Sequence, residues 1–268
     1  MAGRPRTSDE APQGAAASLL NGLGVLEAFS IEKPVLGVTE IAQRVGLHKS
    51  TVSRILSGLA DAGYVQRDEA TGRYRLGLGL LALSGPLLAD LDVRRAALPY
   101  LEGLTERTLE TSAVAVWNGQ EAVVVEQVPS PHQVKHTASI GTRYNRFASS
   151  SVRVCLSTLS EAASRELLVS GTVLLGDEYG GDLKGAAHEL ARVGEAGVAV
   201  NDGLTTPEEF GVSAPVWDYR ERLAGCVIAS APRSRIDSEA RERLEAAVRE
   251  TAAEVSARLG YGVKRAQA

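Results

Sequence analysis

Hydroxyl and cationic side chains alternate with apolar ones in EIAQRVGLHKSTVSRIL, residues 40–56. If a helix follows Leu47, the apolar Val52 and Ile55 share one face of it, because residues three apart are neighbours on a helix. The polar side chains then face solvent near its N-terminus: His48, Lys49, Ser50, Thr51, Ser53 and Arg54. Arginine can donate two hydrogen bonds to guanine, and serine and threonine hydroxyls can bond to bases or phosphates. The pattern therefore predicts a helix whose Arg54, Ser50 and Thr51 read DNA while Lys49 and His48 contact phosphates.

A second helix must hold such a reading helix in place, and residues 39–46 have the composition for it. Ala42 is small enough to lie where two helices cross, and Gly46 tolerates the positive φ of a tight turn. Thr39 is a suitable N-cap, and Glu40 complements the positive end of the helix dipole. We expect a helix-turn-helix here, with Thr39 at its DNA-facing edge.

A basic hairpin is predicted directly after the helix pair, in DAGYVQRDEATGRYRLGL, residues 61–78. Its two β-rich runs, 64–67 and 73–78, flank a turn of Asp, Thr and Gly. Arg67, Arg73 and Arg75 would lie along the DNA backbone as a wing. The spacing of the helix pair also occurs in ordinary helical pairs with solvated charges. Helix, turn, helix and basic hairpin in this order favour DNA binding.

Composition restricts the class of protein. The chain has 268 residues, which favours two domains, and its net charge of −4 means that DNA binding must depend on local residues. The longest uncharged apolar run, 76–89, contains Gly85-Pro86 and is shorter than the roughly 18 residues of a membrane span. Cys155 and Cys226 lack a CxxC spacing. These features predict a cytoplasmic protein without membrane contact.

Four segments are expected along the chain. Residues 1–17, rich in Ala, Gly, Pro and Ser, are predicted to be a disordered tail. A winged helix-turn-helix domain is predicted over 18–78, beginning with a helix at 18–30. A linker helix follows over 79–92, with a kink or break at Pro86 because proline lacks the helical N–H. Residues 93–262 would form the second domain.

The second domain is predicted to be α+β, since antiparallel runs of strands alternate with helices. Asn118-Gly119 marks a hairpin between two β-rich runs. Further strands are expected at 133–140, 197–201, 211–217 and 223–231. Helices are expected at 94–109, 151–158, 161–169, 183–195 and 237–259.

Several stretches resemble the IclR family of bacterial transcription regulators. LGVLEAFS, GVTEIAQRVGLHKSTVSRILSGLADAGYVQRDEATGRYRLGLGLLALS and DVRRAALPYLEGLTERT are similar to the family's N-terminal part and linker. GTRYNRFASSSVRVCLS, GVAVNDG and LAGCVIASAP are similar to its C-terminal part. The resemblance covers nearly the whole chain beyond residue 18.

The resemblance implies a winged helix-turn-helix joined by a linker helix to a GAF-like effector-binding domain. It implies a homodimer or homotetramer that binds a palindromic operator on double-stranded DNA and responds to a small-molecule effector, often a carboxylate. We expect a repressor without a cofactor, with the first helix and the linker helix at the dimer contact. The alternative is a constitutive DNA-binding regulator whose effector domain serves only oligomerisation. An enzyme with a vestigial helix-turn-helix would need a nucleophile or base that the sequence does not identify.

The same resemblance places the effector site on six residues: Ser149, Ser150, Asp202, Gly211, Ile228 and Ser230. Ser230 matches a serine that contacts carboxylates in similar proteins. The chain departs from the family at 147–154, where FASSSVRV replaces the usual His-Ala-Thr-Ala-x-Gly-Lys-Ala. Backbone N–H groups at the start of the following helix, together with the serine hydroxyls, can hold an anion. Equally, the serines can serve only as helix caps.

No metal site is predicted. His132 and His136 stand four apart, but the two prolines just before His132 indicate a loop leading into a strand. Four residues of strand separate two side chains by about 13 Å, and no third ligand lies nearby in the sequence.

Overall fold

The computed structural model describes residues 15–30, 33–90, 92–137, 139–176 and 181–262. The chain divides into two compact units, with the division after Asp90. The predicted tail lies outside the described residues up to residue 14, while residues 15–17 already belong to the first helix. Among the described helices, none is long and apolar enough to cross a membrane.

The N-terminal unit is a winged helix-turn-helix followed by one further helix. Its elements are α1 (Ala15–Glu27), α2 (Val38–Val45), α3 (Lys49–Asp61), β1 (Val65–Arg67), β2 (Tyr74–Leu76) and α4 (Gly79–Asp90). Strands β1 and β2 pair antiparallel, and Leu36 forms an additional bridge with Tyr74. Val25, Ile41 and Val52 join α1, α2 and α3 in one buried core. The predicted fold of this unit is confirmed.

Helix α2 begins differently from the prediction. Its N-cap is Gly37, so the predicted cap Thr39 lies one residue inside the first turn. The Gly37 N–H donates to Glu40 Oε2 at 2.8 Å. A carboxylate at the third helical position thus accepts from the backbone N–H of the N-cap, as the acidic residue of a capping box does. The turn after α2 follows the prediction, because Gly46 ends the helix with a φ of +68°.

Helix α4 continues through Pro86 to Asp90, so the break considered for this position does not occur. Proline removes one N–H from the helical ladder, but Leu and Ala on both sides favour the helix and allow it to continue. Helix α5 (Asp92–Thr108) likewise contains Pro99 in its interior.

The C-terminal unit is a six-stranded antiparallel sheet with helices on both faces, which confirms the α+β class. The strands are β3 (Thr111–Trp117), β4 (Ala122–Val128), β5 (Arg143–Tyr144), β6 (Ala199–Asp202), β7 (Glu209–Trp217) and β8 (Leu223–Pro232). They lie in the order β5-β4-β3-β8-β7-β6. Besides α5, the helices are α6 (Ser150–Ser157), α7 (Glu161–Val169), α8 (Leu183–Ala196) and α9 (Ser238–Arg258).

Each face of this sheet has its own hydrophobic core, because successive strand residues point to opposite sides. On one face, Cys226 and Ile228 of β8 pack with Val152 and Leu156 of α6, and we call this the α6 face. On the other, Val227 of β8 packs with residues of α5 and α9, and we call this the α9 face.

The prediction of a strand at 133–140 was wrong. The described residues of this segment form bends and irregular chain, and Val134 is 72% and Ile140 55% exposed. Exposed apolar side chains provide no buried face that would hold a strand in register. The place beside β4 is taken by β5, where Tyr144 pairs with Ala122.

Candidate DNA-binding surface and effector site

Helix α3 separates an apolar face from a polar one. Val52 and Leu56 are fully buried, while the polar side chains of its N-terminal half are exposed, with Thr51 half-buried: Lys49, Ser50, Ser53 and Arg54. Within the described part of the chain, neither Lys49 nor Arg54 forms an ion pair. The structure therefore brings the predicted reading residues together on one face with their cations free.

His48 is exposed and also has a structural role. It is the N-cap of α3, and its Nδ1 accepts from the Ser50 N–H at 3.3 Å. The same Nδ1 lies 2.8 Å from Ser50 Oγ. A ring nitrogen can satisfy one of the N–H groups that the start of a helix leaves without an acceptor. His48 and Ser50 thus constrain each other at the tip of the reading helix, which sequence reasoning did not anticipate.

The wing arginines are engaged within the unit. Arg73 Nη2 lies 2.6 Å from Glu40 Oε2. The Arg75 Nε donates to Gln66 Oε1 at 3.1 Å, and the Arg67 guanidinium lies 5.9 Å from the centre of the Tyr74 ring. All three remain at the surface, and Arg73 is held there by a carboxylate.

Ser149 and Ser150 lie at the N-terminus of α6, and Ser149 is its N-cap. The Ser149 side chain makes no capping bond; its Oγ lies 2.9 Å from Ser151 Oγ. Ser150 Oγ lies 2.8 Å from Ser213 Oγ on β7. Ser149 is thus the N-cap by position, while the hydroxyls of Ser149 and Ser150 bond to other serines. The first N–H groups of α6 have no acceptor inside the helix, which makes its N-terminus suited to an anion.

The register of β7 and β8 brings most of the predicted effector residues beside this helix end. Gly211 pairs with Ser230, and Ser213 pairs with Ile228. Ile228 belongs to the core of the α6 face, so Ser230 and Gly211, two residues away along their strands, share that face. A Cβ on Gly211 would lie 3.5 Å from Ser150 Oγ. Ser149, Ser150, Gly211, Ile228 and Ser230 are therefore gathered in one place.

Asp202 does not belong to this group. It pairs with Phe210, whose side chain lies in the core of the α9 face. Its carboxylate binds Arg233 at 2.6 Å and lies 3.8 Å from Arg241 of α9. The alternation along β6 instead turns Asn201 toward the α6 face, since Asn201 lies opposite Gly211. The prediction of Asp202 was therefore wrong by one residue, because adjacent residues of a strand face opposite sides of the sheet.

Two further residues at this face were missed. Glu209 is two residues before Gly211 and therefore faces α6, a signal that alternation along β7 already contained. Its Oε2 accepts from Thr205 Oγ1 at 2.6 Å. Tyr144 lies opposite Ala122 and packs against the core of the α6 face. Burial, together with the nearby Glu209 carboxylate, raises the pKa of Tyr144 to about 12.

Arg153 supports α6 from within. Its side chain is 2% exposed and binds Glu189 of α8 at 2.5 Å. Its Nη2 also donates to the carbonyl oxygens of Ala148 and Val200. The Glu189 carboxylate thus neutralises the Arg153 cation, and this ion pair joins α6 to α8. Arg153 therefore has a structural role.

In the described ranges, no group of three His, Cys, Asp or Glu side chains is placed to hold a metal ion. His136 Nε2 lies 3.3 Å from the Glu208 carbonyl oxygen. Cys226 is fully buried in the core, where a free cysteine packs as a small hydrophobe.

The chain combines a winged helix-turn-helix, whose polar reading face is free, with an α+β unit. These features define the class of DNA-binding transcription regulators. The family model described as the IclR helix-turn-helix domain matches residues 18–69. The model described as the C-terminal part of the bacterial transcriptional regulator IclR matches residues 86–257. The chain belongs to the IclR family.

Similar proteins cover between 62% and 92% of the chain. The DNA-binding transcriptional repressor YiaJ of Escherichia coli K12 is 28% identical over 261 residues, which cover 92% of this chain and 89% of that protein. An IclR homologue of Microbacterium hydrocarbonoxydans, solved with 4-hydroxybenzoate, is 25% identical with a TM-score of 0.74, covering 91% and 99% of the two chains. A domain structure of another IclR-family regulator is 45% identical with a TM-score of 0.59, covering 62% of this chain and 96% of that one.

Proposed function

We propose that this regulator is a repressor that binds a palindromic operator as a homodimer or homotetramer and that a small organic acid modulates its DNA binding. The observation that carries the proposal is the reading face of α3, where Lys49, Ser53 and Arg54 are exposed above the buried Val52 and Leu56. Repression is supported by the similarity to YiaJ, which is a repressor. A regulator of chromosomal DNA acts in the cytoplasm.

The domain assignment proposed with this function is a DNA-binding domain over 18–78, a linker helix over 79–92 and an effector domain over 93–262. Exposed leucines support self-association through the first two parts. Leu19, Leu20 and Leu23 of α1 are 67%, 53% and 50% exposed, and Leu78 and Leu81 are 80% and 62% exposed. Burying one leucine side chain contributes roughly 1.5–3 kcal/mol. A two-fold dimer would place its reading helices about 34 Å apart on successive major grooves.

The effector is proposed to place a carboxylate at the N-terminus of α6, among Ser149, Ser150 and Ser230. The relative bound to 4-hydroxybenzoate supports an acid as ligand. The hydrogen bonds of Ser149 with Ser151 and of Ser150 with Ser213 favour the second candidate, a constitutive regulator, because these hydroxyls have partners without a ligand. Calorimetric titration with small carboxylates separates the two candidates, since only the first predicts saturable binding.

Fluorescence anisotropy tests the DNA-binding proposal, with DNA upstream of the protein's own gene and scrambled DNA across a salt series. We expect sequence-dependent binding with a steep salt slope. Arg54→Ala should weaken specific binding by roughly 1–3 kcal/mol and leave non-specific binding unchanged. Arg165→Ala removes another exposed positive charge, from the C-terminal unit, and should change neither. An equal loss on both DNAs would make Arg54 a phosphate contact.

A further inference from the structure

Two groups of opposite charge lie on the α6 face of the sheet, near one end of it. The N-terminus of α6 supplies the positive pole, since its first N–H groups lack acceptors in the helix and Ser149 makes no capping bond. Glu209 supplies the negative pole, on the same face of β7. Gly211, which lies between Glu209 and Ser213 along β7, comes under the helix end, because a Cβ there would lie 3.5 Å from Ser150 Oγ.

Ser230 places a free hydroxyl on the same face. It is 4% exposed and lies opposite Gly211, on the α6 face. Among the described residues, its Oγ has no hydrogen-bond partner, in contrast to Ser149, Ser150 and Ser213. The residue is nearly buried, while its hydroxyl is left free to bond to a polar group that approaches it. A ligand oxygen between Ser230 and the start of α6 would satisfy it.

Glu209 is held in position but has no cation. Its Oε2 accepts from Thr205 Oγ1, and Thr205 Oγ1 in turn accepts from Asn201 Nδ2 at 2.5 Å. Within the part of the chain that the structure describes, no Lys, Arg or His pairs with Glu209, and its Oε1 has no hydrogen-bond partner.

The other inward-facing carboxylates of this unit differ in this respect. Glu110, Glu126 and Glu189 bind Arg235, Arg94 and Arg153 at 2.7, 2.8 and 2.5 Å. A half-buried carboxylate that is oriented by hydroxyls and lacks a cation is suited to receive one from a ligand.

We propose that the effector is a small aminocarboxylate whose carboxylate binds at the N-terminus of α6 and Ser230, and whose ammonium group binds Glu209. Two residues of strand, about 7 Å, separate Gly211 from Glu209, and the glutamate side chain spans part of that distance. The remainder fits a ligand in which one to three carbons join the two charged groups. The inference rests on the proposed effector function of this unit and names its chemistry.

A carboxylate without an amine would leave Glu209 uncompensated beside a second anion. Repulsion between like charges in a partly buried site lowers affinity, so the simple acid should bind more weakly. The amine therefore determines specificity in this proposal, and Glu209 is the residue that selects it.

The test is calorimetric titration of the full-length protein with matched ligand pairs: L-alanine and propionate, β-alanine and propionate, 4-aminobutyrate and butyrate, and L-leucine and 4-methylpentanoate. Each pair is titrated into wild type, Glu209→Gln and Glu208→Gln. Glu208→Gln is the matched control, because Glu208 is exposed and lies on the next residue of the chain. Circular dichroism of each variant checks folding, and anisotropy on upstream DNA is measured on the same samples.

We expect at least one aminocarboxylate to bind wild type about tenfold or more tightly than its deaminated partner. Glu209→Gln should abolish that preference, and Glu208→Gln should retain it. The proposal is overturned if acids bind as tightly as their amino partners, if Glu209→Gln retains the preference, or if no aminocarboxylate in the set binds. Sequence-specific DNA binding that persists in any of these cases leaves the regulator intact and rejects only the ligand class. Loss of DNA specificity in wild type would reject the proposed function itself.

Discussion

Arg73 Nη2 lies 2.6 Å from Glu40 Oε2, and this ion pair joins the residue just before β2 to the first turn of α2. The same Glu40 oxygen accepts from the Gly37 N–H at 2.8 Å. Arg73 also reaches the Val35 carbonyl oxygen at 3.3 Å. The Glu40 carboxylate therefore accepts a hydrogen bond at the start of α2 and also positions the wing relative to that helix.

Glu40→Gln should weaken sequence-specific DNA binding several-fold, as Arg73→Ala should, because both release the wing from α2. Glutamine still caps the Gly37 N–H, and an exposed ion pair contributes no more than about 1 kcal/mol, so both variants remain folded. Anisotropy across a salt series measures the effect. If Arg73 contacts phosphate instead, Arg73→Ala would lower the salt slope by about 1, and Glu40→Gln would strengthen binding.

Gly46→Ala should destabilise the protein by about 1 kcal/mol, because an L-residue at positive φ is strained. The φ of Gly46 is +68° and nothing lies within 4 Å of a Cβ there, so backbone strain alone produces the loss. Gly58→Ala is the control: it lies inside α3, also with open space, and should stabilise by about 0.5–1 kcal/mol. Urea unfolding measures both, and a stabilising Gly46→Ala would contradict the turn geometry.

Glu189→Gln should destabilise the C-terminal unit by about 3–5 kcal/mol, since it leaves the buried Arg153 cation without its anion. The Arg153 side chain is 2% exposed, whereas Arg192, the second partner of Glu189, is 72% exposed. Arg192→Ala should therefore cost less than about 1 kcal/mol. Urea unfolding of the full-length variants measures both effects. Equal losses in the free energy of unfolding would show that the buried ion pair contributes no more than the exposed one.

Tyr144 makes stability depend on alkaline pH. Burial and then Glu209 raise its pKa from 10.0 to about 12 in the folded chain. The folded state thus keeps the phenolic proton longer than the unfolded state, so the contribution is complete below pH 10 and is lost as pH rises through 12. The loss amounts to as much as about 2–3 kcal/mol.

Tyr144→Phe cannot ionise, so the stability advantage of wild type over this variant should shrink between pH 9 and pH 12. Urea unfolding of both proteins at several pH values measures the difference. Parallel pH profiles for the two proteins would show that Tyr144 ionises as easily folded as unfolded.

The sequence by itself determined the helix-turn-helix. The apolar spacing of Val52 and Ile55 predicted the buried side of α3, where Val52 is fully buried and Ile55 packs against the core. The polar face follows from it, and Gly46 sets the turn. These are local properties, because helical periodicity and the φ preference of glycine depend on a few neighbouring residues. The α+β class was also predictable, since strand alternation and the turn at Asn118-Gly119 are local signals.

Other features depended on partners far away in sequence. The capture of Arg73 by Glu40, across 33 residues, cannot be read from either local pattern. The predicted strand at 133–140 failed because the edge of the sheet paired with β5 instead. The meeting of Ser150, Gly211 and Ser230 was expected only from the family resemblance, and the β7–β8 register produces it.

The choice between Asp202 and Asn201 shows most clearly what only the tertiary structure decided. Adjacent strand residues face opposite sides, and only the pairing of β6 with β7 determines which of the two meets α6. Local sequence thus determined which residues form helices and turns. The long-range register of the sheet decided which side chains share a site, because a shift of one residue moves every side chain to the other face.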